Sequence, residues 1–252
     1  MSDSAVTACV LIIGNEILSG RTQDANLSFI ARTLNEHGIQ VREARTIPDV
    51  EAVIVETLNA VRSRFDYVFT TGGIGPTHDD ITADCVARAF GVPLVMHPQI
   101  EGRIRAYAAE RGMSEEITRA SLRMARVPEG GELVETEVGA PGFSIGNVYV
   151  MAGIPAVMQS MLGLLAPKLR GARPVRARSV GAYLGESQVA DRLRAIQDAH
   201  PAVDIGSYPF SDAGRYGTTL VVRGTDEALL DTVLDELRTL ITTCGAEPLE
   251  RS

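Results

Sequence analysis

The sequence predicts an α/β chain: a three-layer αβα domain around a mostly parallel sheet, followed by a small α+β domain. Three observations predict it. Short apolar runs alternate with stretches of helical spacing through the first third of the chain. A short, basic stretch containing Gly and Pro, Pro167–Pro174, then interrupts the pattern. Beyond it the order changes to strand, helix, strand, strand, helix. The expected domains are residues 1–170 and 175–252.

Taken in order, Val6–Ile13 is a continuous apolar run, as in a strand buried on both faces. Asn26–His37 carries Leu27, Ile30, Ala31 and Leu34 at helical spacing and stops at Gly38. Ile39–Arg45 is the second strand. Asp49 stands where it can cap a helix running to Arg62 through Val50, Val53, Ile54 and Leu58. Tyr67–Thr71 is the third strand, and Ile81–Phe90 the next helix. Gln99–Met124 reads as two short helices broken near Gly112. Pro128–Gly146 reads as loops and hairpin strands, Asn147–Met151 as a strand, and Ala156–Leu165 as a helix. In the tail the strands are Val175–Tyr183, Val203–Tyr208 and Thr218–Arg223. Its helices are Ser187–His200 and Glu227–Thr243, whose apolar faces one sheet can bury. Between the last two strands, Gly206–Gly217 reads as a long loop. It carries Tyr208, Phe210, Tyr216 and Arg215, which suit stacking on a planar ring or anchoring a partner.

Composition excludes several classes of chemistry. No apolar run approaches the ~20 residues of a membrane helix, and Met1–Thr7 lacks a signal-peptide pattern. A soluble cytoplasmic protein is therefore expected. The three cysteines, Cys9, Cys85 and Cys244, are widely spaced and form no Cys/His cluster, so neither a disulfide framework nor a structural zinc site is expected. Cys9 and Cys85 fall at core positions. The net charge of −8 disfavours nucleic acid. Lys168 is the only lysine, so no lysine-containing phosphate loop exists, and cationic contacts to a ligand must come mostly from arginine.

Three segments could carry chemistry. The strongest is Thr70-Thr71-Gly72-Gly73-Ile74-Gly75-Pro76-Thr77-His78-Asp79-Asp80-Ile81-Thr82, lying between a strand and a helix. Its glycines permit positive φ and close approach of backbone amides. A helix start adds free donors and partial positive charge, so this is an anion site suited to phosphate. Asp79 and Asp80 repel a phosphate unless a cation lies between them. They read either as a divalent-metal pair or as helix caps, Thr77 and Asp80 having capping-box-like spacing. The second segment is Ile13–Gly20 with Asp24-Ala25-Asn26. Glu16 could face the pocket; Asp24 and Asn26 read equally as caps or as ligand contacts. The third, Gly153-Ile154-Pro155, also joins a strand to a helix. All three would open at the carboxyl edge of the sheet, where such folds bind ligands.

In this order, Ile13–Gly20 with Asp24–Asn26, Thr70–Thr82 and Ala152–Met158 resemble the motifs of the molybdenum-cofactor biosynthesis, or molybdopterin-binding, superfamily. The resemblance is strongest to the amino-terminal part of competence/damage-inducible protein A, and extends to the molybdopterin-binding domain of FAD synthases. It covers residues 6–167 and implies a fold of the MoaB/MogA type. The tail resembles the small KH-like domain that follows in the competence family. It has no GxxG loop where nucleic-acid clamping would need one, so no RNA contact is expected.

The resemblance implies a phosphate-bearing ligand, a molybdopterin or a nucleotide, held by Asn15, Asp24, Asn26, Thr71, Gly72, Gly73, Gly75, Thr77, Thr82, Gly153 and Pro155. Divalent metal such as magnesium would sit on Asp79 and Asp80, with Asp80, Asp79 and Glu16 as the catalytic set. Asp79 stands where the adenylyltransferase branch carries Arg. That points to the branch associated with metal-dependent pyrophosphatase activity on ADP-ribose-like or FAD-like compounds. The departures are Ala152 and Val157 in the closing motif and Ser121 and Met124 before Val127-Pro128-Glu129-Gly130. They leave open a non-catalytic binding protein linked to molybdenum cofactor metabolism. The chain stops before the deamidase domain of many relatives, so that activity is not expected. A homo-oligomer is.

Overall fold

In the computed structural model, residues 5–250 are described, so Met1–Ser4 of the leading segment lie outside them. The chain divides into two compact units, with the boundary between Ala172 and Arg173.

The first unit runs β1 (Val6–Ile13), α1 (Asn15–Leu18), α2 (Asn26–Glu36), β2 (Ile39–Ile47), α3 (Glu51–Arg62), β3 (Tyr67–Thr71) and α4 (Thr82–Phe90). It continues through β4 (Leu94–Met96), α5 (Pro98–Glu110), α6 (Glu115–Ser121), β5 (Arg126–Pro128), β6 (Glu132–Val134), β7 (Gly142–Ile145), β8 (Val148–Met151) and α7 (Pro155–Leu165). Six strands form one sheet in the order β2-β1-β3-β8-β7-β6. β1 pairs in parallel with β2 and β3, and β3 with β8. β7 and β6 close one edge antiparallel.

The unbroken apolar run of β1 has its reason in this position. Alternate residues face opposite cores: Cys9, Leu11 and Ile13 pack toward Ile54, Leu58 and Val86 of α3 and α4. Ala8, Val10 and Ile12 pack toward Ile30 and Leu34 of α2 and Met158 and Met161 of α7. Two apolar faces on one strand require a layer of helices on each side. Cys9 and Cys85 are buried, and desolvation pushes their thiols up to about 11 and about 12, so both serve as small hydrophobes.

Two expectations of the sequence are corrected in this unit. Asp49 does not cap α3, whose cap position is Val50 without a side-chain acceptor; the Asp49 carboxylate accepts the Asn15 amide instead, at 2.8 Å. Nor does an aspartate cap α4: its cap position is Ile81, again without a side-chain bond.

The second unit comprises β9 (Arg176–Ala182), α8 (Glu186–Ala199), β10 (Asp204–Asp212), β11 (Arg215–Gly224), α9 (Glu227–Thr243) and β12 (Leu249–Glu250). Its antiparallel sheet has the order β10-β11-β9-β12. Val189 of α8 and Leu230, Val233, Leu234 and Leu237 of α9 are buried in its core. The expected loop Gly206–Gly217 is instead a hairpin: β10 and β11 pair continuously from Asp204–Arg223 to Asp212–Arg215. Its turn is Ala213-Gly214, with φ of +48° and +78°. Positive φ at both turn residues matches the twist of the flanking strands. Pro209 is accommodated because β10 lies at the sheet edge. Arg215 sits 3.7 Å from the Tyr183 ring centroid, and Phe210 meets the same ring edge-on.

Among the described residues, no helix is long and apolar enough to cross a membrane.

Candidate functional site

β1, β3 and β8 are parallel neighbours, so the three motifs that follow them emerge at one edge of the sheet. The backbone holds them there in contact. Gly72 has φ of +100°, and a Cβ on it would stand 2.1 Å from the Ile13 carbonyl oxygen. Its amide donates to Met151 O at 3.2 Å. A Cβ on Gly153 would lie 3.3 Å from Gly72 Cα. Asn26, 5% exposed, donates its Nδ2 to Gly153 O at 2.8 Å and so ties the second motif to the third. Its Oδ1 is buried and has no partner. Glycine at these crossings lets three chains approach where side chains would clash.

The central loop folds on itself. Gly73 has φ of +66°, and a Cβ there would fall 2.2 Å from Thr82 Oγ1. Thr82 is fully buried; its hydroxyl donates to Gly72 O at 3.0 Å and its amide to Gly73 O at 3.0 Å. The amides of Gly72 and Thr82 are therefore used inside the fold. Those of Gly73, Ile74 and Gly75 lie in the loop ahead of α4 and meet no acceptor among the described residues, so they remain as loop donors.

Next along the loop, Asp80 Oδ2 accepts the Thr77 amide at 2.8 Å, and a Cβ on Gly75 would stand 2.6 Å from that same oxygen. The Thr77 hydroxyl lies 2.5 Å from Asp79 Oδ1 and 2.6 Å from Asp80 Oδ2. Its bond to Asp79 is the leading reason that carboxyl is held below its usual range. Asp79 is exposed and Asp80 half-buried. Two carboxylates thus border the glycine loop.

The remaining expected residues divide between scaffold and rim. Asp24 accepts the amides of Asn26 and Leu27 at 3.3 and 3.0 Å, stabilising the start of α2. Thr71 is buried at the end of β3. Gly153 and Pro155 are exposed, Pro155 opening α7. Asn15 is exposed, its amide bound to Asp49. Glu16 folds back over Gly14, where a Cβ would stand 2.6 Å from its carboxylate oxygens. Among the described residues no three His, Cys, Asp or Glu side chains gather as a metal-holding group, so Glu16 does not join Asp79 and Asp80 in one.

The structure adds residues that no motif flagged. A small cleft is lined by Gly73, Gly75, Asp80, Arg123, Arg126 and Met124. Arg126 donates Nη2 to Asp84 at 3.1 Å, while its buried Nε has no partner. Scarcity of lysine implied arginine contacts but could not say which arginine, because Arg123 and Arg126 reach the loop from a 3-10 turn and β5 far along the chain. A second cavity of about 470 Å³ adjoins this cleft through Met124 and Pro141. Both Ser121 and Met124, two of the departures from the resembled pattern, line it.

Comparison with known proteins accords with this geometry. The family described as a probable molybdopterin binding domain matches residues 9–171, and the FAD synthase middle domain matches residues 174–247. A protein of Archaeoglobus fulgidus is 35% identical, the match covering 79% of this chain and 84% of that protein. A CinA-like protein of Syntrophus aciditrophicus is 33% identical over 96% of this chain but 61% of its own length. The crystal structure of the protein CinA, of unknown function, from Thermoplasma acidophilum is 31% identical. It covers 66% of this chain and 99% of its own, with a TM-score of 0.59. This chain thus spans 61% of the length of its CinA-like relative from Syntrophus aciditrophicus.

Proposed function

The chain belongs to the family of probable molybdopterin binding domains, in its CinA-like form, and on that premise we propose that it is a divalent-metal-dependent pyrophosphatase acting on ADP-ribose-like or FAD-like compounds. The observation that carries this reading is the pair Asp79 and Asp80, placed beside Thr77 on the glycine loop, with Asp80 lining the same small cleft as Gly73, Gly75, Arg123 and Arg126.

Such a loop alone would bind an anion. Adding two carboxylates makes sense when a cation stands between acid and phosphate. Magnesium commonly takes one or two carboxylates and completes its shell with water and substrate phosphate. A pair therefore fits it, with no third protein ligand required. Asp80 and Asp79 would hold the ion, which would supply charge neutralisation and a more acidic bound water. This chain's own contribution is positioning. The Gly73–Gly75 amides orient the phosphate oxygens, and Arg123 and Arg126 at the cleft oppose the charge that develops on them. Thr77 fixes the direction of both carboxylates.

A second reading rests on the closing motif. Ala152 and Val157 stand where the resembled pattern carries Pro and Glu, which favours a protein that binds a molybdopterin or nucleotide without turnover. Incubation with ADP-ribose or FAD and magnesium, followed by chromatography for AMP, separates the two. AMP release that stops with chelator supports hydrolysis. Saturable binding without AMP supports the second reading.

A further inference from the structure

The cleft at the glycine loop encloses about 20 Å³, space for a single water. A phosphate can rest at its mouth, but no ring can enter. Any larger part of a ligand must lie elsewhere, and the adjoining cavity of about 470 Å³ has the size of a small-molecule site. Met124 and Pro141 line both, so the two spaces are neighbours across one methionine and one proline.

The cavity's lining differs from that of the cleft. Ile100 and Ile104 form a buried apolar wall from α5. Tyr107, Met113 and Met124 add a half-exposed ring and two thioethers, with Ala140 and Pro141 opposite in sequence along the loop before β7. Aromatic and thioether groups pack favourably against flat aromatic rings. Tyr107 is steadied by Arg111, whose guanidinium lies 5.1 Å from the ring centroid. The two polar side chains are Ser121 and Arg103. Arg103 is held in a two-point ion pair with Glu135, at 2.7 and 3.1 Å, so its charge is already balanced. What remains is an apolar slot ending at an anion loop.

We propose that this slot is the heterocycle subsite: a ligand of this protein carries a flat ring, which lies against Tyr107 and Met124, joined to a phosphate group at the Gly73–Gly75 loop. This rests on the reading of that loop as a phosphate site. Adenine, pterin and flavin share this chemistry, and the slot would select among phosphate compounds by their rings.

The test compares ligands with and without a ring. Calorimetry in magnesium would measure AMP, which has a ring and a phosphate but no pyrophosphate bond to cleave, FMN and inorganic pyrophosphate on the full chain and on three variants. Tyr107→Ala removes half-exposed surface, Ala140→Trp fills the slot, and Arg123→Gln alters only the phosphate end at an exposed position. Expected is a tenfold or greater loss for the ring compounds with Tyr107→Ala and with Ala140→Trp, at unchanged pyrophosphate affinity. Base stacking on aromatic side chains is of that order. Arg123→Gln should weaken all three ligands. Whichever of AMP and FMN shows the dependence identifies the ring. If both bind the two slot variants as tightly as wild type while pyrophosphate still responds to Arg123→Gln, the slot is overturned and the phosphate site stands. If no ligand responds to Arg123→Gln, the phosphate reading fails, and the slot proposal falls with it.

Discussion

Asp80 and Thr77 close a small ring: Asp80 Oδ2 takes the Thr77 amide at 2.8 Å and its hydroxyl at 2.6 Å. Asparagine keeps one oxygen for these bonds while losing the charge. Asp80→Asn is therefore expected to retain the fold, read as an unchanged thermal midpoint within a few degrees, and to abolish magnesium-dependent AMP release. A folded variant with wild-type turnover would remove Asp80 from the mechanism.

Gly73 answers a different question. A β-branched residue there would block the approach of phosphate, and a sequence argument expects binding to suffer more than folding. The structure changes that balance. Gly73 sits at φ of +66° with the place of its Cβ 2.2 Å from Thr82 Oγ1. Strain of that kind costs on the order of 1–3 kcal/mol before any clash. Gly73→Val is expected to lower stability by at least about 2 kcal/mol, measured by urea unfolding. A variant as stable as wild type would show that the loop has another accessible conformation.

Asp66 ties the entrance of β3 to that of β1, accepting the Thr7 amide at 2.7 Å and its hydroxyl at 2.9 Å. These bonds hold its carboxyl below the ordinary value of 3.8. With the folded pKa depressed, the unfolded chain binds the proton first as pH falls. The stabilisation is complete above the ordinary value and is lost as pH drops through the folded one. Asp66→Asn should therefore be less stable than wild type at neutral pH, and the gap should narrow in acid. A gap independent of pH would assign the effect to packing alone.

How far the sequence could be read follows from where its signals are local. The double-sided run Val6–Ile13 announces a central strand because both its faces are buried. The glycine loop is legible because positive φ and close contact admit few other residues. Hairpin Asp204–Gly224 was not, since its turn is Ala213-Gly214 where Asn-Gly or Asp-Gly would give the signal. Asp49 was misplaced for a related reason: its partner, the Asn15 amide, lies 34 residues away and is set by strand order. Arg123 and Arg126 belong to the same class, contributing to the cleft only through tertiary folding.

That hairpin yields a prediction of its own. Ala213 is the one described non-glycine residue with positive φ, at +48°. The left-handed conformation costs an alanine roughly 1–2 kcal/mol. Glycine adopts it freely but loses more entropy on folding, about 0.5–1 kcal/mol. Ala213→Gly should be stabilising by up to about 1 kcal/mol, and Ala213→Asn similarly, in unfolding of the full chain followed by circular dichroism. Destabilisation by both would mean that the turn is not of this type.

Asn26 offers the sharpest test of how the motifs are joined. Its Nδ2 donates to the Gly153 carbonyl, linking the start of α2 to the turn before α7. The residue is buried, so aspartate there would set a carboxylate against a carbonyl oxygen with little water to screen it. Asn26→Asp loses the donor and adds a desolvated charge; breaking a buried polar contact this way costs about 3 kcal/mol or more. Removal of both functions by Asn26→Leu keeps the volume but leaves Gly153 O without its donor, and should cost about 1–3 kcal/mol. The order Asn, Leu, Asp from most to least stable is expected at neutral pH. Protonating the aspartate in acid restores a donor and should bring Asn26→Asp toward wild type. Urea titrations at neutral and acid pH read both effects. Equal stability of the three proteins at neutral pH would show that the Asn26–Gly153 bond does not hold the two motifs together.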